Sequence, residues 1–272
     1  MDNDTISIQR DGEVYIVRIA RPDAKNAVDP PTARRLYEAF VAFDKCGQSR
    51  VAVLAGTGGA FCSGFDLKAL AGGAAAGWLD ELHFGKDGRP PLGPMGPTRM
   101  ALSKPVIAAI AGPAVAGGME LAAWCDLRVM EQDAYMGVFC RRFGVPLIDG
   151  GTVRLPALVG RGRAQDLILT GRRVDAAECA EIGLCERLVP NGQSLAAAIE
   201  WARELAAFPQ ACLRADRASA FGDPRALQRA LEREFAAGRS VVETEALAGA
   251  REFTGGAGRH GTVPDRFTPG AP

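Results

Sequence analysis

The chain has 272 residues with 32 basic and 32 acidic side chains, so its formal net charge is zero, and 47% of it is hydrophobic but only 7% aromatic. Balanced charge removes the electrostatic footprint of a nucleic-acid binder or of a protein held on an anionic membrane. The first thirteen residues are polar and acidic with no apolar core of signal-peptide length, and no stretch approaches the roughly eighteen apolar residues of a membrane span, so a cytoplasmic protein is expected.

From Gly12 to Ile19, β-branched and aromatic residues read as a strand interrupted only by Arg18. Asp29-Pro30-Pro31-Thr32 then reads as a cap and proline start for a helix carrying Ala33, Leu36, Tyr37, Phe40 and Val41 at helical spacing. Two buried apolar runs follow, Val51 to Ala55 and Val106 to Ile110, the second leading through Ala116-Gly117-Gly118 into an apolar helix from Met119 to Trp124. Strand, helix and strand in alternation argue for an α/β fold. Residues 72–97 are rich in glycine and proline around one amphipathic piece, Trp78 to Phe84, and read as a mobile excursion or lid. Beyond Gly150 the pattern turns helical, near 152–159, 163–170, 176–182, 194–207 and 224–247, and the last twenty residues read as an irregular tail.

Seven cysteines include no Cys-x-x-Cys pair, so neither a disulfide framework nor a zinc cluster is indicated. Only two histidines exist, His83 and His260. Their scarcity disfavours histidine triads and metal sites and leaves proton chemistry to carboxylates, thiols or backbone dipoles. The run Gly112 to Met119 lacks the lysine of a phosphate-binding loop, Gly56 to Phe61 lacks the third glycine of a dinucleotide fingerprint, and none of the seven serines lies in Gly-x-Ser-x-Gly. What remains is a pair of glycine-containing turns after buried strands, Gly59 to Leu67 and Ala116 to Glu120. The first can present the Phe65 N–H to a cleft, and the second opens a helix whose first N–H groups have no intrahelical acceptor. Two converging N–H donors make an oxyanion hole, and Glu120 can carry a proton beside them. The alternatives are a glycine pair serving as a packing device and a glutamate serving the helix dipole.

The stretches Phe61-Cys62-Ser63-Gly64-Phe65-Asp66-Leu67, Lys104 to Gly112 and Ala116-Gly117-Gly118-Met119-Glu120-Leu121 with Cys125-Asp126 resemble the enoyl-CoA hydratase/isomerase (crotonase) superfamily. The likeness runs on through Gly150-Gly151-Thr152, Leu155-Pro156, Leu169 to Arg172 and Ala176 to Leu184, and covers about residues 5 to 220 in order. It implies an α/β spiral of ββα units over residues 1–195 with the acyl-CoA site and a lid about 72–97. A helical trimerisation region and tail would follow over 196–272, giving a homotrimer or dimer of trimers. The resemblance puts the thioester oxygen on the backbone N–H groups of Phe65 and Gly117. It puts coenzyme A, carried by the substrate with no separate cofactor, against Lys25, Ala27, Ala60, Gly64, Asp66, Leu67 and Lys68. Lys25 taken alone is equally a solvated loop charge.

Family hydratases hold a water between two glutamates. Glu120 matches the first, whereas the best register puts Cys140 at the second, where a thiol cannot replace a carboxylate simply and reads rather as a small buried apolar residue. Asp149 is a candidate replacement, or else the N-cap of the following helix. Arg141 and Arg142 read as partners for Asp149 or a substrate carboxylate, or as solvated charge, and His83 as a lid residue. Three functions are carried forward: a 2-enoyl-CoA hydratase using Glu120 with Asp149 or a water, a Δ3,Δ2-enoyl-CoA isomerase using one glutamate, and a catalytically weak acyl-CoA binder.

Overall fold

In the computed structural model, which describes residues 5–84 and 89–256, the predicted first strand is the second of an antiparallel hairpin, β1 (Ile6–Asp11) and β2 (Val14–Ile19). Helix α1 (Pro30–Lys45) starts as the prolines predict, with the Asp29 carboxylate accepting from Thr32 N at 3.0 Å. There follow β3 (Val51–Gly56), two short helices α2 (Leu67–Ala71) and α3 (Trp78–Glu81), then β4 (Val106–Ile110), β5 (Pro113–Val115) and α4 (Gly117–Trp124). A second run repeats the strand, short strand, helix unit: β6 (Leu127–Glu131), β7 (Tyr135–Gly137), a 3-10 turn at Phe139–Phe143 and α5 (Gly151–Val159). The chain continues through α6 (Arg161–Thr170), β8 (Arg173–Asp175), α7 (Ala176–Ile182), β9 (Arg187–Val189), α8 (Ser194–Ala207), α9 (Gln210–Phe221) and α10 (Pro224–Val241). The last elements among the described residues are a π-helical turn, Val242–Ala246, and α11 (Leu247–Thr254).

Six strands form one sheet in the order β1-β2-β3-β4-β6-β9, parallel from β2 onward, and β5, β7 and β8 form a second, smaller sheet. The central strands are buried throughout because both faces are covered, which is why they read as unbroken apolar runs rather than as alternation. Their side chains still divide with period two. Val17, Leu54, Ala108 and Ile110 pack toward Leu36, Phe40 and Phe43 of α1, while Val53, Ile107 and Ala109 pack toward Ala198, Ala202 and Ala206 of α8. The alanines, four apart, let α8 lie close on the sheet.

The single helix predicted over 224–247 is three pieces, because the hydrogen-bond pattern loosens to a π-helical turn at Val242–Ala246 before α11 resumes the α-helical one. Helix α11 reaches Thr254, into the stretch expected to be an irregular tail, and the Phe253 ring meets Phe143 edge-on at 5.3 Å. The remainder of that expected tail, from residue 257, lies outside the described residues. So does part of the expected lid, residues 85–88. The described part of the lid segment is tied down: Trp78 is 2% exposed with the Arg34 guanidinium 4.7 Å from its ring, and Asp80 pairs with Arg239 of α10. Among the described residues no helix is long and apolar enough to cross a membrane.

Candidate active site

A cleft of about 680 Å³ opens beside the start of α4, between the loop before α2, the 3-10 turn at Phe139–Phe143, and the π-helical turn with α11. Of the residues singled out in the sequence, Lys25, Ala27, Phe65, Asp66, Leu67, Lys68, Gly117, Glu120 and Asp149 line it. Ala60 and Gly64, expected as ligand contacts, are not among its lining residues. The Ala60 carbonyl is instead occupied by Asn26 Nδ2 at 2.7 Å, and Gly64 serves the backbone turn beneath the cleft wall.

The loop that carries Lys25 is held in an uncommon conformation. Lys25 and Asn26 both have positive φ, 48° and 57°, a costly arrangement for two consecutive non-glycine residues. The fully buried Asn26 side chain secures it, donating to the Thr57 and Ala60 carbonyls and accepting from Arg21 N. Asp66 is likewise committed: Oδ1 caps α2 through Lys68 N and Ala69 N, and Oδ2 pairs with Arg21 at 2.9 Å. Its side chain therefore shapes the wall and leaves Lys25 and Lys68 as the wall's cations.

The two predicted donors meet at the cleft. Val28 bridges to Phe65 by donating to the Gly64 carbonyl and accepting from Asp66 N, so in this parallel pattern the Phe65 N–H points away from Val28. Among the described residues no carbonyl accepts from Phe65 N–H or from Gly117 N–H. Gly117 is the first residue of α4, entered through Ala116 at φ 54°, a strained conformation for alanine. Gly64, at φ 99°, brings the two segments together, since a Cβ there would lie 2.8 Å from Ala116 Cβ and 3.1 Å from Gly117 N.

Beyond the donors lie the carboxylates. Glu120 is 4% exposed, and its Oε1 accepts from Asp149 N at 2.9 Å and Gly151 N at 2.8 Å. No described residue donates to Oε2. Burial, reinforced by the charges of Asp149 and Glu234, holds Glu120 well above the usual carboxylate range. Asp149 does not cap α5, contrary to one of its two expected roles. The cap position belongs to Gly150, and Asp149 Oδ1 instead accepts from Met95 N at 2.9 Å and from the Thr98 hydroxyl. Burial raises Asp149 to about 6, with the Thr98 and Met95 hydrogen bonds opposing. Arg154 donates to the Asp149 carbonyl at 2.8 Å, and Arg99, buried between the rings of Phe84 and Phe235, supplies further positive charge.

Gly151 has no room for a side chain, because a Cβ there would stand 2.9 Å from Glu120 Oε1. Gly151→Ala is therefore expected to lower turnover by up to about a hundredfold, the effect of roughly an ångström of displacement, while circular dichroism stays native. Wild-type turnover in the variant would show that the Glu120 carboxylate tolerates displacement.

Cys140 lines the cleft as its register implied, but burial first, and then the Glu120 charge, pushes its thiol up to about 12. At neutral pH it is a thiol, not an acid-base partner. Neither adjacent arginine pairs with Asp149: Arg141 Nε donates to the Ile168 carbonyl at 2.6 Å, and Arg142 stacks on Phe139 at 3.7 Å. His83 is exposed and outside the cleft lining. Sequence reasoning missed Met95 and Thr98, which anchor Asp149, and missed Glu234. The last carried a readable signal, since a glutamate stands beside Leu231, Phe235 and Gly238 on the buried stripe of α10.

A ββα spiral with paired backbone donors and buried carboxylates at one cleft defines a crotonase-fold protein. The chain belongs to the enoyl-CoA hydratase/isomerase family, whose model matches residues 9–246. It is 36% identical over 207 residues to an enoyl-CoA hydratase of Mycobacterium tuberculosis, covering 74% of each chain, and 35% identical over 205 residues to the carnitinyl-CoA dehydratase of Salmonella arizonae, covering 75% of each. Among solved structures, a carnitinyl-CoA hydratase from Mycobacterium avium superposes with a TM-score of 0.81 at 27% identity over 92% of this chain and 95% of that one. An enoyl-CoA hydratase from Mycobacterium tuberculosis superposes with a TM-score of 0.74 at 29% identity, over 89% of this chain and all of the other.

Proposed function

We propose that the protein is an acyl-CoA hydratase that adds water across the double bond of a 2-enoyl-CoA thioester. The observation that carries this reading is the pairing of Glu120 and Asp149 on one cleft wall, each with one oxygen fixed by donors and the other without a donor among the described residues. Burial raises both carboxyls, Asp149 to about 6 and Glu120 well above the usual carboxylate range, and this reading takes Glu120 as the partner that carries the proton. Asp149 then accepts a proton from water as the hydroxyl adds to C3, and Glu120 gives its proton to C2. The thioester oxygen, negative in the intermediate enolate, is received by the Phe65 and Gly117 N–H groups, which are preorganised for that charge. Proton transfer from Asp149 to Glu120 restores the pair.

Coenzyme A arrives as part of the substrate, with Lys25 and Lys68 placed for its phosphates, and the protein needs no separate cofactor. The acyl end is apolar, bounded by Trp78, Phe143, Val242 and Phe253, which suits a hydrocarbon chain. Incubation with 2-enoyl-CoA and 3-enoyl-CoA thioesters, followed by loss or gain of the conjugated absorbance, tests the reading. Hydration of the 2-enoyl substrate is expected. Conversion of the 3-enoyl substrate alone would establish an isomerase, and binding without turnover an acyl-CoA binder. The same reading assembles the chain as a homotrimer or dimer of trimers, which the exposed rings of Phe208 and Phe221 support; light scattering giving a monomer mass would overturn it.

A further inference from the structure

Four consecutive backbone amides, at residues 149 to 152, are shared alternately between two carboxylates. Asp149 N and Gly151 N donate to Glu120 Oε1 at 2.9 and 2.8 Å. Gly150 N donates to Glu234 Oε2 at 2.6 Å, and Thr152 N and Oγ1 donate to Glu234 Oε1 at 2.9 and 2.7 Å. The chain bends through Gly150, in the left-handed region at φ 93°, into the first turn of α5, and along this bend the amides go alternately to the two carboxylates, which thus hold one peptide segment between them. Glu120 does so from α4, and Glu234 reaches across from α10, more than eighty residues later in the chain. Glu234 is 9% exposed, is not among the residues lining the cleft, and caps α5 at its positive dipole end.

Resting on the hydration reading, we infer that Glu234 is a positioning residue: it fixes the 149–152 peptide so that the carboxylates of Glu120 and Asp149 face the substrate together. A buried carboxylate with three donors is costly to assemble and unnecessary for capping alone, which a serine or aspartate at the cap position supplies locally. Here the cap position is Gly150, which has no side chain to offer, and the capping carboxylate comes from the C-terminal helix. Docking of α10 thereby sets the geometry of the acid-base pair. The charged groups around Glu234 are Glu120 on α4, Asp149 on the loop, Arg154 on α5 and Arg99 at the end of a short 3-10 turn, Pro97–Arg99, ahead of β4. Its negative charge raises both Glu120 and Asp149, and Arg154 opposes its own elevation.

Glu234→Gln keeps the shape, removes the charge and leaves only one oxygen to accept. It is expected to lower kcat by up to about a hundredfold with KM for the CoA thioester little changed, and to move the acid limb of the pH profile to lower pH. Infrared pH titration with isotope-labelled aspartate reads the same downward movement of Asp149 without using activity, so it decides the point even if the wild-type protein proves not to hydrate 2-enoyl-CoA. Unchanged kcat and an unmoved aspartate titration, with or without a lowered melting temperature, would reduce Glu234 to a structural cap and overturn the inference. Should Glu234→Gln fail to fold, Thr152→Val removes one donor while leaving the charge. A fall in kcat at constant KM supports the inference in that variant, and wild-type kcat overturns it.

Discussion

Glu120→Gln is expected to lower kcat/KM for hydration by about a hundredfold to ten-thousandfold, the range for loss of a general acid-base group. Glutamine fills the same volume and can keep its Oε1 on the amides of Asp149 and Gly151, but its second position becomes an NH2 that cannot yield a proton to C2. The fall should lie in kcat, because the proposed thioester donors Phe65 and Gly117 and the cations Lys25 and Lys68 are untouched. Stability should respond oppositely. Glu120 has a folded-state pKa above its unfolded value, so its burial favours folding at low pH and loses that contribution as pH rises through the folded pKa. Glutamine does not titrate, so the melting temperature of the variant relative to wild type should rise as pH increases from the ordinary glutamate range to the folded-state pKa and level off above it. Near-normal hydration in the variant would remove Glu120 from the chemistry.

Much of the fold was legible because the elements that build it are long and periodic or flanked by strong punctuation. Strands β2, β3 and β4 announced themselves as apolar runs, and α1 by its Asp-Pro-Pro start. Strands β5, β7 and β8 span three residues each, too short for any period, and exist because the spiral brings them side by side. The site divides in the same way. Phe65, Gly117 and Glu120 are placed by local turns after buried strands, so their motifs carry them. The role of Asp149 could not be separated from capping, because its partners Met95 and Thr98 lie some fifty positions away in sequence. Glu234 was hidden further, since only the packing of α10 reveals that a charged residue on its apolar stripe has three donors to meet.

Asp149→Asn isolates the other half of the pair. Asparagine Oδ1 can keep the bonds from Met95 N and the Thr98 hydroxyl, so the loop should hold, while the oxygen proposed to take the proton from water becomes an amide nitrogen. A loss of about a hundredfold to ten-thousandfold in hydration is expected. In wild type, kcat/KM should fall as pH drops through about 6, where Asp149 becomes protonated and can no longer act as base, and the residual activity of the variant should lack this limb. The outcome also separates two chemistries on one scaffold. Moving a proton between C2 and C4 of a 3-enoyl thioester needs one carboxylate, whereas adding water needs a base for the water and an acid for C2. If Asp149→Asn abolishes hydration but leaves any 3-enoyl conversion intact, Glu120 alone shuttles protons and Asp149 is what makes the enzyme a hydratase. If hydration survives, the base is elsewhere, and Cys140, whose thiol is held near 12, is too weak an acid to supply it at neutral pH.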